Sequence, residues 1–182
     1  MADRNAEIVI FAVPFDGGRE TSHRLLRQAA VRYTGRNAEE WPLALGEKGK
    51  PYFPTEPQLQ FSITHSGGYW MCAFSQREVG LDLQVHQPCQ KEKLSRRFFH
   101  PAEDAFLRRK NYGDFFDLWS AKESYLKYTG QGITDELENF SVVAGERFPS
   151  VEDAWLHLLP WKDGYSLCLC AREVRPWVLT EL

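Results

Sequence analysis

Trp119-Ser120-Ala121-Lys122-Glu123-Ser124-Tyr125-Leu126-Lys127 is the stretch from which the rest of the chain can be read. It lies in a run with helical periodicity from about Asp114 to Tyr128. Asp114 can cap the start, with Asp117 as a capping-box partner three residues on. Gly130 and Gly132 end the run. At about 100° per residue, Phe115, Trp119, Lys122 and Leu126 share one face. Glu123 and Lys127 lie one turn apart beside that apolar stripe. Charges bordering a buried face need a partner, a metal or a ligand. The plainer reading is a Glu–Lys pair on a solvated surface, worth only a few tenths of a kcal/mol.

Upstream, Val79-Gly80-Leu81-Asp82-Leu83 reads as a short strand with an acid inside an apolar run, where strands disfavour Asp. Before it, Phe61-Ser62-Ile63-Thr64-His65 leads into Ser66-Gly67-Gly68, and Tyr69 to Phe74 returns. Gly67-Gly68 suits a tight hairpin turn whose central residues have positive φ. Phe61, Ile63 and His65 then face one way, and Ser62, Thr64 and Ser66 the other. Further back, Glu7–Val13 reads as a strand. Ser22–Tyr33 reads as a helix capped by Thr21 or Ser22, and residues 36–58, with four prolines, as a long loop. Downstream of the strand, Lys91–Phe99 is a short basic helix, and Pro101 opens another with Glu103 and Asp104 in its first turn. After the Trp119 helix, strands are expected at Phe140–Val143, Ala154–Leu159, Tyr165–Ala171 and Trp177–Leu179.

Each half thus runs from strands through helix to further strands. The expected fold is α+β, with two similarly built, pseudo-symmetric halves, residues 1–84 and 85–182, forming one compact unit. With 182 residues, 43% hydrophobic and 14% aromatic, the chain can bury a core built on large rings. The net charge of −3 argues against a general nucleic-acid binder. The four cysteines form no CxxC pair, so a zinc ribbon or thioredoxin-like site is not expected. Neither an apolar leader nor a membrane-length apolar run is present in the sequence, so a cytoplasmic, thiol-reduced protein is expected.

Three features stand together: Thr64-His65-Ser66-Gly67 at a hairpin tip, Gly80-Leu81-Asp82 on a strand, and Trp119-x-x-Lys122-Glu123-x-x-x-Lys127 on a helix. This combination resembles the 4′-phosphopantetheinyl transferases of the Sfp type, whose pattern is a G-x-D strand followed some forty residues later by W-x-x-K-E-x-x-x-K. Gly49-Lys50-Pro51, Phe98-Phe99 with Glu103, and Gly130-Gln131-Gly132 also match the family's segments. The resemblance covers roughly residues 22 to 143.

The resemblance implies an active site in the cleft between two antiparallel-sheet halves. There the phosphopantetheine arm of coenzyme A would pass to a serine of an apo acyl, polyketide or peptidyl carrier protein. The second product would be 3′,5′-ADP, and Mg²⁺ would be required. Asp82 and Glu123 can supply the one or two carboxylates that Mg²⁺ takes when phosphates and waters complete its shell. Gln84 would contribute directly or through a water. Glu123 also suits a general base towards the carrier serine, with Lys127 placed by helical spacing to hold Glu123 or a phosphate oxygen. Lys122, His65 and Ser66 are candidate phosphate contacts, and Arg24 and Lys50 are candidates for the 3′-phosphate and adenine end. The plainer readings are a hydrogen-bonded strand-end histidine for His65, turn chemistry for Ser66 and surface charges for Arg24 and Lys50. Lys91, Lys93, Arg96 and Arg97 form a basic segment placed to dock an acidic carrier. Many family members have G-x-D-x-E where this chain has Gly80-Leu81-Asp82-Leu83-Gln84, which weakens one metal ligand. A non-catalytic relative that holds coenzyme A or a carrier is therefore the competing reading, and a metal-dependent phosphohydrolase a third. With both halves in one chain, a monomer is expected.

Overall fold

The computed structural model describes residues 7–131, 137–151 and 153–182. The first half comprises β1 (Ile8–Pro14), α1 (Arg19–Thr34), the two-residue strands β2 (Ala44–Leu45) and β3 (Pro51–Tyr52), β4 (Gln60–Ser66) and β5 (Tyr69–Ser75). There follow β6 (Val79–Val85), α2 (Lys91–Phe98), α3 (Pro101–Arg109), α4 (Phe115–Thr129), β7 (Trp155–Leu159), β8 (Tyr165–Ala171) and β9 (Trp177–Glu181). The fold is α+β, as expected.

Two main sheets form, ordered β4-β5-β1-β9 and β6-β8-β7. The internal resemblance of the halves is visible in this order. The series β1-α1-β4-β5 and the series β6-α4-β7-β8 each place their first strand beside their last and their middle strand outermost. β6 pairs within the C-terminal sheet, and the expected division after residue 84 falls at its last residue, Val85. β9 crosses back and pairs parallel with β1, so the first sheet is mixed rather than antiparallel throughout.

Alternation along the strands sorts side chains into layers. Ile8, Ile10 and Ala12 of β1 meet Leu81 and Leu83 of β6 and Leu167 and Leu169 of β8 in a core between the sheets. Val9 and Phe11 face α1, together with Leu26, Ala29 and Ala30. On the far side, α4 packs Phe115, Leu118 and Ala121 with Cys168 and Cys170 of β8. Both faces of each sheet are covered, which is why these strands read as nearly continuous apolar runs.

β6 runs close beneath α4. A Cβ on Gly80 would lie 1.9 Å from the carbonyl oxygen of Ser124, so only glycine allows this approach. Gly67 and Gly68 take φ of 54° and 87°, as the tight hairpin turn requires.

Several local expectations differ. α1 starts at Arg19 behind Gly18, and Ser22 instead accepts the buried indole N–H of Trp70 at 2.8 Å. α4 ends at Gly130, with φ of 71°, as expected, but its N-terminal Asp114 makes no side-chain cap. Asp114 pairs with Lys110 at 2.8 Å, one turn away, and Asp117 accepts from Ser166 of β8, so both carboxylates are diverted from the helix end. The Gly132 stop lies outside the described residues. Residues 140–143 form no strand. Val142 and Val143 are buried, but the Val142 N–H donates to the Glu103 carboxylate at 2.8 Å rather than to a neighbouring strand.

Candidate active site

The two sheets meet edge to edge at β4 and β6, and hydroxyls make the join. Ser62, Thr64 and Ser66 accept the backbone N–H groups of Leu81, Leu83 and Val85 at 2.9, 3.1 and 3.0 Å. Alternation puts all three hydroxyls on one face of β4, and the edge of β6 presents its amides at the same spacing. Ser120 of α4 adds a bond from its hydroxyl to the Asp82 carbonyl at 2.8 Å, fixing the strand from the other side.

This join holds Asp82, which is 2% exposed, directly behind Lys127. Its Oδ1 accepts from Lys127 Nζ at 2.7 Å and from Thr64 Oγ1 at 3.3 Å, and its Oδ2 from Gln84 Nε2 at 3.0 Å. Lys127 Nζ also donates to the Leu81 carbonyl at 3.2 Å. Glu123, one turn before Lys127, is 6% exposed, and its carboxylate takes no hydrogen bond among the described residues. Burial first, and the nearby Asp82 charge second, push its pKa above the usual carboxylate value, while the Lys127 ammonium pulls it down.

Glu123 and Lys127 line a cavity of about 300 Å³ together with Lys48, Lys50, Phe61, Ser62, Ile63 and Leu126. Lys50 reaches across to the Val79 carbonyl at 3.4 Å, and burial lowers its pKa. A small, largely apolar chamber lined by three lysines and the buried carboxylate Glu123, with Asp82 behind Lys127, suits a multiply charged anion carrying an apolar part. Asp82 and Glu123 are hard oxygen donors and fit Mg²⁺, which accepts one or two carboxylates and completes its octahedron with waters and phosphate oxygens. Among the described residues there is no group of three potential ligands from His, Cys, Asp and Glu.

The other expected site residues are placed differently. Lys122 does not face the cavity. It is fully buried, its Nζ 2.8 Å from the Glu103 carboxylate, itself fully buried, and 2.6 Å from the Phe140 carbonyl. Its phosphate role is corrected on that ground: helical spacing had put it on the apolar face with Phe115 and Leu126, and that is where it stays. Gln84 turns its amide nitrogen, not its carbonyl oxygen, towards Asp82. Ser66 is drawn into the hydroxyl ladder, His65 is exposed at the end of β4 with its ring 5.4 Å from that of Phe15, and Arg24 is exposed on α1 outside the cavity lining. Sequence reasoning missed Thr64 and Ser62 as supports of Asp82 and Glu103 as the partner of Lys122. The alternation Ser62-x-Thr64-x-Ser66 was the available sign.

A sequence model of the 4′-phosphopantetheinyl transferase superfamily matches residues 78–170, from the start of β6 through most of β8. The chain is 31% identical over 170 residues to a 4′-phosphopantetheinyl transferase of Bacillus subtilis, covering 84% of this chain and 75% of that one. It is 30% identical over 170 residues to 4′-phosphopantetheinyl transferase Sfp of the same species, with the same coverage. To 4′-phosphopantetheinyl transferase HetI of Nostoc it is 32% identical over 174 residues, 87% of this chain and 73% of the relative.

Proposed function

Because the chain belongs to the 4′-phosphopantetheinyl transferase superfamily, we propose that it moves the phosphopantetheine arm of coenzyme A onto a serine of an apo acyl, polyketide or peptidyl carrier protein, working as a cytoplasmic monomer. The observation that carries this reading is a cavity lined by the buried carboxylate Glu123 with Lys48, Lys50 and Lys127, the last of which pairs with the buried carboxylate Asp82 at 2.7 Å. The chain is an enzyme of this class, which sets aside the reading as a binding relative. No helix among the described residues is long and apolar enough to cross a membrane.

In the proposed reaction the carrier serine oxygen attacks the phosphorus that bears the pantetheine arm. The bond from that phosphorus to the bridging oxygen breaks, and 3′,5′-ADP leaves with the bonding electrons. The serine proton goes to Glu123. Its raised pKa keeps the carboxylate a stronger base than a solvated one, and among the described residues no donor occupies its oxygens. Asp82 and Glu123 would hold Mg²⁺, which when bound offsets negative charge on the phosphate oxygens. Lys127 and Lys50 bind phosphate oxygens as point charges along the cavity wall. His65 and Arg24, both at the surface, extend contacts towards the outer phosphates, and Lys93 and Arg97, exposed on α2, meet the acidic carrier. Incubation with an apo carrier, coenzyme A and Mg²⁺ should add the mass of the phosphopantetheine arm to the carrier. An unmodified carrier across acyl, polyketide and peptidyl types would overturn the reading.

A further inference from the structure

Three of this chain's own donors hold the Asp82 carboxylate. Lys127 and Thr64 occupy Oδ1 and Gln84 occupies Oδ2, while only 2% of the residue is exposed. Each donor is itself held in place. Thr64 Oγ1 takes the Leu83 N–H, Lys127 Nζ also donates to the Leu81 carbonyl, and Gln84 must present its nitrogen, because a carbonyl oxygen against a carboxylate would repel it. The Lys127 ammonium, 2.7 Å from Oδ1, neutralises the same carboxylate that would hold a divalent cation. Two cations on one buried carboxylate repel strongly, because little water screens them. Lys127 also has somewhere else to go. Its side chain is 26% exposed and lines the cavity, and its flexible stem lets the ammonium swing to a phosphate oxygen there.

We propose that Lys127 competes with the divalent cation for Asp82 and thereby sets the order of binding: the coenzyme pyrophosphate draws the ammonium off the carboxylate, and only then does the cation bind tightly. The proposal rests on the transferase reading of the same site. It makes Lys127 an internal counter-ion for Asp82 before it becomes a phosphate contact. It also gives Gln84 a part that an acid at that position would not play: it donates to Asp82 instead of adding charge that would attract the cation early.

The test is Mn²⁺ binding followed by electron paramagnetic resonance, with no coenzyme and then with a non-reactive coenzyme analogue. Lys127→Met should bind Mn²⁺ at least about fivefold more tightly than wild type without coenzyme, within the usual range of coupling between sites. The tightening caused by the analogue should shrink. Lys50→Met removes a cation from the same cavity without freeing Asp82, and should leave the coenzyme-free affinity little changed. If Lys127→Met loses its fold by circular dichroism, Lys127→Gln is read in the same way. Equal or weaker Mn²⁺ affinity in the Lys127 variant, or no binding by either protein, overturns the competition. So does an equal gain in Lys50→Met, since general charge would then be the cause. The carrier mass gain is scored separately on wild type. Transfer without the competition removes only the ordering, and competition without transfer removes only the transferase reading.

Discussion

Helix α4 carries two lysine–carboxylate pairs five residues apart, and they differ in nearly everything but chemistry. Lys122 and Glu103 are both fully buried, and each is also bonded to the 140–142 backbone: Lys122 to the Phe140 carbonyl, Glu103 to the Val142 N–H. Glu103 additionally accepts the His100 N–H at the start of α3. Burial pushes the Glu103 carboxyl up and the Lys122 ammonium down, against their mutual attraction. This pair joins α3, α4 and the 140–142 segment, away from the cavity lining. Lys127 and Asp82 form the other pair, and there the lysine borders a cavity. The contrast shows that burial and pairing do not by themselves identify a functional charge. What matters is whether the cation has a second place to go.

Variants can separate the two pairs, and the largest effect is expected beside the open one. Glu123→Gln should lower transfer by about 10²–10⁴-fold, the usual cost of losing a positioned base, with no fall in melting temperature. The sign follows from linkage. The folded pKa of Glu123 lies above its ordinary value, so its stabilising contribution is present below that value and lost as pH rises through the folded pKa. At neutral pH the ionised group opposes folding, and the amide relieves it. A variant that melts clearly lower while keeping its transfer rate would reverse the contrast.

Next in size, Lys122→Met should destabilise by about 3–5 kcal/mol in urea unfolding, because it leaves Glu103 buried without a counter-charge. Adding Glu103→Gln, which removes the unpaired charge but keeps an amide oxygen for the Val142 N–H, should recover part of that loss. A double variant as unstable as the single one would mean that the unpaired charge is not the cause. Thr64→Val keeps the shape but leaves the buried Leu83 N–H without its acceptor, a loss of about 1–3 kcal/mol. The smallest effect is on titration. In the metal-free wild type, carboxyl-carbon NMR should show Glu123 titrating above the usual carboxylate range. In Lys127→Met it should move higher still, since the ammonium that pulls the Glu123 pKa down is gone. A titration that moves down would mean that Lys127 does not act on Glu123.

Local chemistry made much of this legible in the sequence. Periodicity and Gly130 bounded α4 to within a residue at each end, and Gly67-Gly68 fixed the hairpin. Asp82 stood out because an acid inside an apolar strand needs a reason. What escaped were bonds between distant residues. The Ser62, Thr64 and Ser66 hydroxyls meet amides nineteen positions later, and no local preference announces such a partner. Glu103 read as a first-turn acid suited to the helix dipole, yet it neutralises Lys122 across the core. Val142 and Val143 looked like strand residues because they are apolar and β-branched, but their own N–H groups are taken by the side chains of Glu103 and Ser141. Nothing in Trp177–Leu179 told which sheet the last strand would join, since both offered an edge.

The hydroxyl ladder between β4 and β6 has a mechanical consequence. It works as a rack with a pitch of two residues. A slip of one residue would put Ile63 and His65 against the amides of β6, and the next register that restores the bonds is about 6.6 Å away. Small sliding steps between the halves are therefore forbidden, and the gap between Asp82 and the cavity wall is held at one width. Ligand access must come from side-chain swings and from the turn carrying Lys48 and Lys50, not from one half gliding over the other. The molecule should behave as a fixed vice whose jaws are set during folding and only their lining adjusts.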